Sequence, residues 1–330
     1  MERNFKTVLI IINLFFVFSI ISIPTIIIFA EFGDYGKFNN SLIYKYSSEP
    51  PPLEKELNIN TDFGIIDINY ITEPVDYITE INVSIEMAGP NLNGKTYADF
   101  FNIGWENSSS PLNFTLDLRP EMELDFSNLH IVKININVKI RSDIIFDIKA
   151  LAQIGSLKIA VPMGISVKNI FSNINVGNIF YDFNNNNIEG NITAILNNGN
   201  LTFYSKNNHY SQNSKLDFIN NRGYSLIDIY QDEEMGTNIT GTAKTKSGTI
   251  KVVYKDLSEN IGAIFILNNK TTFGNEVQNR VVGFTKDFLP LLAGQFYISD
   301  DYPAQNNYNF SLFKPEEEGN YIWNLSSIVN

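Results

Sequence analysis

The chain has 330 residues, 36 acidic against 24 basic, a formal net charge of −12 and no Cys. That length allows one large domain or two small ones with a sizeable core, and the lack of Cys excludes disulfides, Cys-ligated metal, iron–sulfur clusters and a thiol nucleophile. The two histidines, His130 and His209, exclude a multi-His metal site, and the acidic excess argues against nucleic acid as a partner.

Two residue types dominate, with 45 Asn and 46 Ile. Ile favours strands, and Asn tolerates the left-handed backbone that tight turns need. The composition therefore points to a β-rich chain with many turns, although A/T-rich codons produce the same bias.

At the N-terminus, Arg3 and Lys6 precede a near-unbroken apolar run from Thr7 to Ala30, interrupted by Pro24 and followed by Glu31 and Asp34. Such a run exceeds the roughly 20 residues needed to cross the hydrocarbon core. Basic residues before it and acids after it orient the N-terminus inside and the body outside. The small-residue cleavage pattern is poor, because Ile28-Phe29-Ala30 has Ala only at its last position. Residues 1–30 are thus expected to form an uncleaved single-pass transmembrane helix. A cleaved signal segment is the alternative, and a buried helix comes third. The membrane is the first partner expected. The localisation is the cell membrane, with the body extracytoplasmic.

Residues 31–52 are polar and end in Glu49-Pro50-Pro51-Pro52. A Pro run is a stiff extended spacer, so this segment is expected to be a stalk or linker.

From Leu53 onward, helical periodicity gives way to alternation, as in Lys133–Ile140 (KININVKI) and Phe146–Ala152 (FDIKALA). Period two is the mark of half-buried strands. The strands recur in a frame centred on Gly. Around Gly199, the apolar positions are Ile192, Ala194 and Leu196, then Leu201 and Phe203. Gly64, Gly155, Gly177, Gly223 and Gly248 carry similar frames, and from Gly155 onward the glycines are 22 to 25 residues apart. The position five before Gly is Ala in three copies: Ala150, Ala194 and Ala243. Two architectures compete. If each Gly turn closes an antiparallel hairpin, the body is a sandwich. If the strands on either side of Gly lie on different faces of a coil, successive coils stack in parallel. The fixed spacing favours the second, an all-β, right-handed β-solenoid or β-roll with coils of about 22–25 residues. Asn-rich turns suit it, because equivalent amides can form ladders between coils.

The segments Leu57–Ile68 (LNINTDFGIIDI), Ser156–Ile170 (SLKIAVPMGISVKNI), Asn191–Phe203 (NITAILNNGNLTF) and Gly241–Tyr254 (GTAKTKSGTIKVVY) resemble the adhesin-like family of β-solenoid domains on bacterial and archaeal cell surfaces, a domain family of unknown function. The resemblance spans roughly Leu53 to Tyr254. It departs from the usual pattern in having Asn where Gly or Asp is common, and in an insertion near 89–124. It implies a surface-exposed binding or structural module and brings no catalytic residues.

The solenoid is expected over 53–273, followed by a C-terminal β cap at 274–330. Within the cap, Tyr308–Phe313 and Asn320–Leu325 read as a hairpin joined by an acidic turn and covering the last coil, since an open end invites aggregation.

The chain lacks a phosphate loop, a dinucleotide fingerprint, a His-Glu-x-x-His motif and a calcium loop. No catalytic, cofactor-binding or metal-binding residue is assigned, and no cofactor is expected. Asp182 and Asp228 each lie five residues after their Gly, but with a coil carrying Tyr204 between them. His209 reads as a solvated loop residue and His130 as a partly buried structural one. The acids Asp232-Glu233-Glu234 and Asp300-Asp301 read as charged turns. The aromatics Tyr181, Phe203, Tyr204 and Tyr230 would make a carbohydrate-stacking stripe if exposed, but alternation places most of them in the core.

Ten Asn-x-Ser/Thr sequons occur, against about six expected by chance. Asn113, Asn191, Asn200 and Asn238 are the candidate N-glycosylation sites. The expected function is a membrane-anchored extracytoplasmic adhesin-like or structural surface module. It is non-catalytic and binds a surface glycan or protein through a repetitive β face. The alternatives are a β-helix enzyme acting on surface polysaccharide, or a cytoplasm-facing membrane scaffold.

Overall fold

Alternation becomes long, bent strands. The computed structural model describes residues 35–90, 92–108, 110–119, 131–210, 214–256, 260–268, 275–282, 284–289, 294–300, 302–304, 306–313 and 319–326. The expected transmembrane helix at 1–30 and the expected structural role of His130 lie outside these residues. Among the described residues, no helix is long and apolar enough to cross a membrane, and the fold is all-β.

The first strands are β1 (Tyr35–Tyr46), β2 (Glu54–Ile71), β3 (Thr79–Pro90), β4 (Phe101–Glu106), β5 (Leu112–Leu118), β6 (Ile131–Arg141) and β7 (Ile145–Val161). Strand β1 lies within the segment expected as a linker. Tyr44 of β1 packs against Trp105 and Phe114, with ring centroids 6.4 and 5.9 Å away. Then come β8 (Ser166–Val167), β9 (Ile170–Asn184), β10 (Asn187–Ile188), β11 (Ile192–Lys206), β12 (His209–Tyr210), β13 (Lys215–Gln231) and β14 (Ile239–Asp256). The last are β15 (Ile261–Asn268), β16 (Asn275–Val282), β17 (Phe284–Leu289), β18 (Gly294–Ser299), β19 (Asn306–Phe313) and β20 (Gly319–Ser326).

Strand β11 shows how one rung is made. Ile192, Ala194 and Leu196 point inward, Asn197 and Asn198 are exposed, and Leu201, Phe203 and Ser205 point inward again. A straight strand keeps one parity along a face. Here the inward parity switches from even to odd numbers across Gly199, so the strand must turn a corner there. Gly199 has φ +142°, and a Cβ on it would lie 1.7 Å from the carbonyl oxygen of Gly177. Gly177 meets Gly155 in the same way. The glycines recur because backbone packs on backbone at this corner from Gly64 to Gly248.

Strands β2, β7, β9, β11, β13 and β14 pair consecutively, all in parallel. Their glycines are in register: Gly64 with Gly155, then Gly177, Gly199, Gly223 and Gly248. The sandwich alternative, with an antiparallel hairpin at each Gly, is therefore overturned for these strands. A further line is formed by β8, β10 and β12, also parallel. Between it and the long strands, Asn185 and Asn207 take positive φ values of 50° and 49°, which Asn tolerates better than most residues.

Volumes are balanced within β9 and β11. Ser172 and Ala194 stand five before their glycines and face large partners, Tyr181 and Phe203, all four fully buried. The Tyr181 hydroxyl is 2.6 Å from Ser172 Oγ. In β13 the pair is reversed, Phe218 with Ile227. Phe203 and Phe218 meet across the rungs at 4.7 Å between centroids. Alternating large and small groups in this way keeps the interior near native packing density.

The ends do not follow chain order. Strand β2 is flanked by β7 on one side and by β5 and β6 on the other, all parallel to it. At the far end, β19 and β20 both run parallel to β14, and Gly319 stands opposite Gly248. Beyond them lie β15, parallel to β19, and β16, parallel to β20. Strand β18 pairs antiparallel with both β15 and β17. The expected hairpin of Tyr308–Phe313 with Asn320–Leu325 is thus corrected. The two runs are successive halves of one more rung, because both carry the same apolar alternation as β14.

By internal contacts the chain forms two compact units. Ser41–Ser84, Phe101–Arg119 and Ile134–Asn330 hold the rungs. The other unit takes in the described parts of Met1–Asn40, Ile85–Phe100 and Pro120–Lys133. In it, Phe38 stacks on Phe100 at 5.7 Å, and Thr96 and Asp99 form a capping box on a short turn.

Candidate functional site

The outward positions of the second half-strands form rows across the rungs. The register sets Asp182, Tyr204, Asp228 and Val253 in one row, and Phe180, Thr202, Leu226 and Lys251 in the next. Tyr224 follows Asn178 and Asn200 in a third. Phe180 and Tyr204 lie diagonally, in edge-to-face contact at 5.6 Å. Partial burial, with Tyr204 nearby, raises the pKa of the Tyr224 hydroxyl above its ordinary value. Partial burial likewise raises that of the Asp228 carboxyl, against the opposing pull of Lys251. Tyr230 donates to Asp232 at 2.8 Å, and Lys206 and Lys255 from the two adjacent rungs sit over its ring at 5.5 and 5.1 Å.

The four aromatics singled out in the sequence therefore divide. Tyr181 and Phe203 are in the core, while Tyr204 and Tyr230 are half-buried on the outside. Asp182 and Asp228 share a row with Tyr204 between them, about two rung spacings or 9.5 Å apart. His209 is exposed beside Gly236. Glu233 and Glu234 are exposed on their turn, and the Asp232 backbone N–H is held by Asn207 Oδ1 at 3.0 Å. Asp300 is exposed, and Asp301 lies outside the described residues.

At the Gly corner, Asn side chains make a ladder. Asn197 donates to Asn175 at 2.8 Å, and Asn221 donates to Asn197 at 3.1 Å. Just past the corner, Asn200 donates to Asn178 at 3.2 Å. A cavity of about 450 Å³ opens over the first ladder, lined by Asn175, Val176, Asn197, Asn198, Asn221, Arg222 and Lys246. The row immediately before the glycines changes in character along the stack: Phe63, Ile154 and Val176, then Asn198, then Arg222 and Ser247. Ile154 and Val176 are 47% and 41% exposed, high for aliphatic side chains. The repeating frame marks inward positions in the sequence and passes over these two outward ones. The signal for them is the pair of residues preceding every corner glycine.

A second cavity, of about 310 Å³, is lined on the outside of β4, β5, β2 and β7 by Gly104, Glu106, Asn113, Asn58 and Lys149, among others. Asn58 donates to Asn113 at 2.9 Å, and Asn113 donates to Glu106 at 3.3 Å.

The sequon residues occupy several such ladders. Asn113 belongs to the one just described, and Asn200 spends an N–H on Asn178. Asn191 accepts from the Lys215 backbone N–H at 3.0 Å and is exposed. Asn238 is exposed and accepts from the Asn307 backbone N–H at 2.9 Å. Among the described residues, no cluster of three or more His, Asp or Glu is placed to hold a metal ion.

No protein family and no curated protein sequence matches the chain. Among solved structures, it is similar to a proposed cell adhesion protein from Clostridium sporogenes, with 10% identity and a TM-score of 0.35 over 88% of this chain and 100% of that one. It is also similar to a proposed adhesin from Bacteroides fragilis, with 11% identity and a TM-score of 0.31 over 88% and 98%. A third is a proposed lipid-binding protein from Parabacteroides distasonis, with 12% identity and a TM-score of 0.26 over 88% and 97%. At scores this low, these likenesses establish neither a shared family nor a shared ligand.

Proposed function

We propose that this chain is a non-catalytic, adhesin-like surface module built as a right-handed β-solenoid. An N-terminal membrane anchor holds it with its body extracytoplasmic, and it binds through its repeated outer rows. One observation carries the reading: side chains that can contact a ligand, from Phe180 and Asp182 to Tyr224 and Asp228, stand outward in register on adjacent rungs. Rows of this kind make many weak contacts to an extended partner, and avidity adds them. On an extracytoplasmic body, Asn191 and Asn238 are the best placed of the four candidates for glycans, because both are exposed and accept through Oδ1, whereas Asn113 and Asn200 commit an Nδ2 N–H to a ladder.

Protease shaving of intact cells carrying a C-terminally tagged copy tests the reading. Loss of the tag while a cytoplasmic control survives is the expected result. A tag that is lost only after lysis would turn the reading over to a cytoplasm-facing scaffold.

A further inference from the structure

We infer that the corner cavity over the Asn175–Asn197–Asn221 ladder is a subsite for a carboxylated glycan, with the saccharide hydroxyls on the amides and a carboxylate between Arg222 and Lys246. The inference rests on the surface-module reading above and names a ligand class for it.

Three observations converge on that chemistry. First, among the described residues, the charged ones lining the cavity are Arg222 and Lys246, both basic, in a chain whose net charge is −12. A basic lining in an acidic protein focuses a local field that attracts anions. Arg222 is exposed at the corner, so its planar fork can take a carboxylate in the bidentate mode that guanidinium favours.

Second, the ladder offers paired donors and acceptors at a regular interval. An amide has two N–H donors and two acceptor lone pairs. Asn197 uses one N–H toward Asn175 and accepts one bond from Asn221. One donor and one acceptor of Asn197 thus remain for a ligand, which is what a saccharide hydroxyl requires. The interval between rungs is about 4.8 Å, so an extended chain lying along the stack meets one amide after another.

Third, the cavity has an apolar flank. Val176 lines it, and Ile154 continues the same row on the next rung. The C–H face of a sugar ring can lie there without desolvating a polar group. The volume of about 450 Å³ falls within the range of small-molecule sites.

The sequence hides this site. Asn175, Asn197, Arg222 and Lys246 come from four different rungs, and overall acidity points away from anionic polymers.

The test is binding of the purified full chain to immobilised polygalacturonate, with its methyl-esterified form as the neutral comparison. Specific retention on the acid form, weakening as salt is raised, is expected. The Arg222→Gln, Lys246→Gln double variant should lower affinity by about tenfold or more. The control Lys215→Gln, an exposed residue outside the cavity lining, should leave it unchanged. Equal binding to the esterified polymer, or unchanged binding by a double variant that melts like the parent, would overturn the subsite. Shaving and adhesion separate the two readings. A shaved, cell-adherent protein that ignores polygalacturonate loses only the subsite. A shaving-resistant body that binds polygalacturonate loses the surface role and keeps the subsite.

Discussion

The middle rungs and the end rungs of this protein are built by different rules. From β7 through β9, β11 and β13 to β14, each strand pairs with the one a single repeat away, in parallel and in register. At the ends, the chain reaches past its neighbours. Strand β2 lies between β7 on one side and β5 with β6 on the other. Strands β19 and β20 lie between β14 on one side and β15 with β16 on the other. Local pairing is a modest loop closure repeated, while the ends close much longer loops. In return, β2 and the C-terminal β19 and β20 are interior to the stack, where neighbours cover both edges. Open parallel edges are what such arrays must avoid.

The chemistry differs accordingly. In the middle, amide ladders run along the corner and buried aromatics such as Phe203 and Phe218 stand beside small residues such as Ser172 and Ala194. At the C-terminal end, aromatics interlock: Tyr254 meets Phe265 at 5.4 Å and Tyr308 at 5.8 Å, and Phe265 stacks on Phe310 at 5.9 Å. Toward the N-terminal end, Glu80 lies between Lys45 at 3.2 Å and Lys139 at 2.8 Å.

The contrast is broken most severely by removing 306–330. This deletes the rung between β14 and β15 and leaves two unpaired parallel edges. Insoluble expression is expected, and a soluble monomer with the parent's melting temperature would contradict the interior placement. Next in size is Gly199→Ala in the middle. Its Cβ would fall 1.7 Å from the Gly177 carbonyl oxygen, at φ +142°. Strain and clash together should cost more than about 3 kcal/mol. Gly164→Ala, where a Cβ meets open space at φ +80°, should cost only about 1 kcal/mol. Thermal melts of the pair separate the packing of the corner from mere backbone strain.

Glu80→Gln tests the N-terminal end. The hydrogen bond from Lys139, and secondarily Lys45, holds the Glu80 carboxyl below its ordinary range. A carboxyl lowered in the folded state stabilises fully above its unfolded value. That stabilisation is lost as pH falls through the lowered folded value. The variant should therefore be less stable than the parent by on the order of 1 kcal/mol at pH 7, and the two melting curves should converge in acid. A difference that persists at low pH would assign the effect to packing. The smallest effect is expected for Asn197→Ala, which removes two ladder bonds on an exposed corner and should cost about 0.5–1 kcal/mol. A cost of several kcal/mol would mean that the ladder, and not the glycine row, holds the corner.

Much of the middle is legible in the sequence because each rung repeats one local solution. The parity switch at Gly199, the Ala at 194 and the Asn pair before the glycine are all readable within a dozen residues. The outer aromatics are only half legible. The frame runs inward through Phe203, but Tyr204 beside it is aromatic too, so residue type alone does not place it outside: Phe203 is fully buried, while Tyr204 is not. The expected C-terminal hairpin fails because hairpins and half-rungs share the same alternation. The choice between them depends on whether β14 offers a better partner than the adjacent strand.

By itself, the sequence determined an all-β chain, the repeat length and the residues at each corner. These follow from steric limits on φ and from the two-residue period of a strand, both local in the chain. Only the tertiary structure decided the order of the end rungs and the placing of Arg222 and Lys246 around one cavity over an amide ladder. Both depend on which edges remain open after the middle has stacked, a competition among distant segments that no local pattern records.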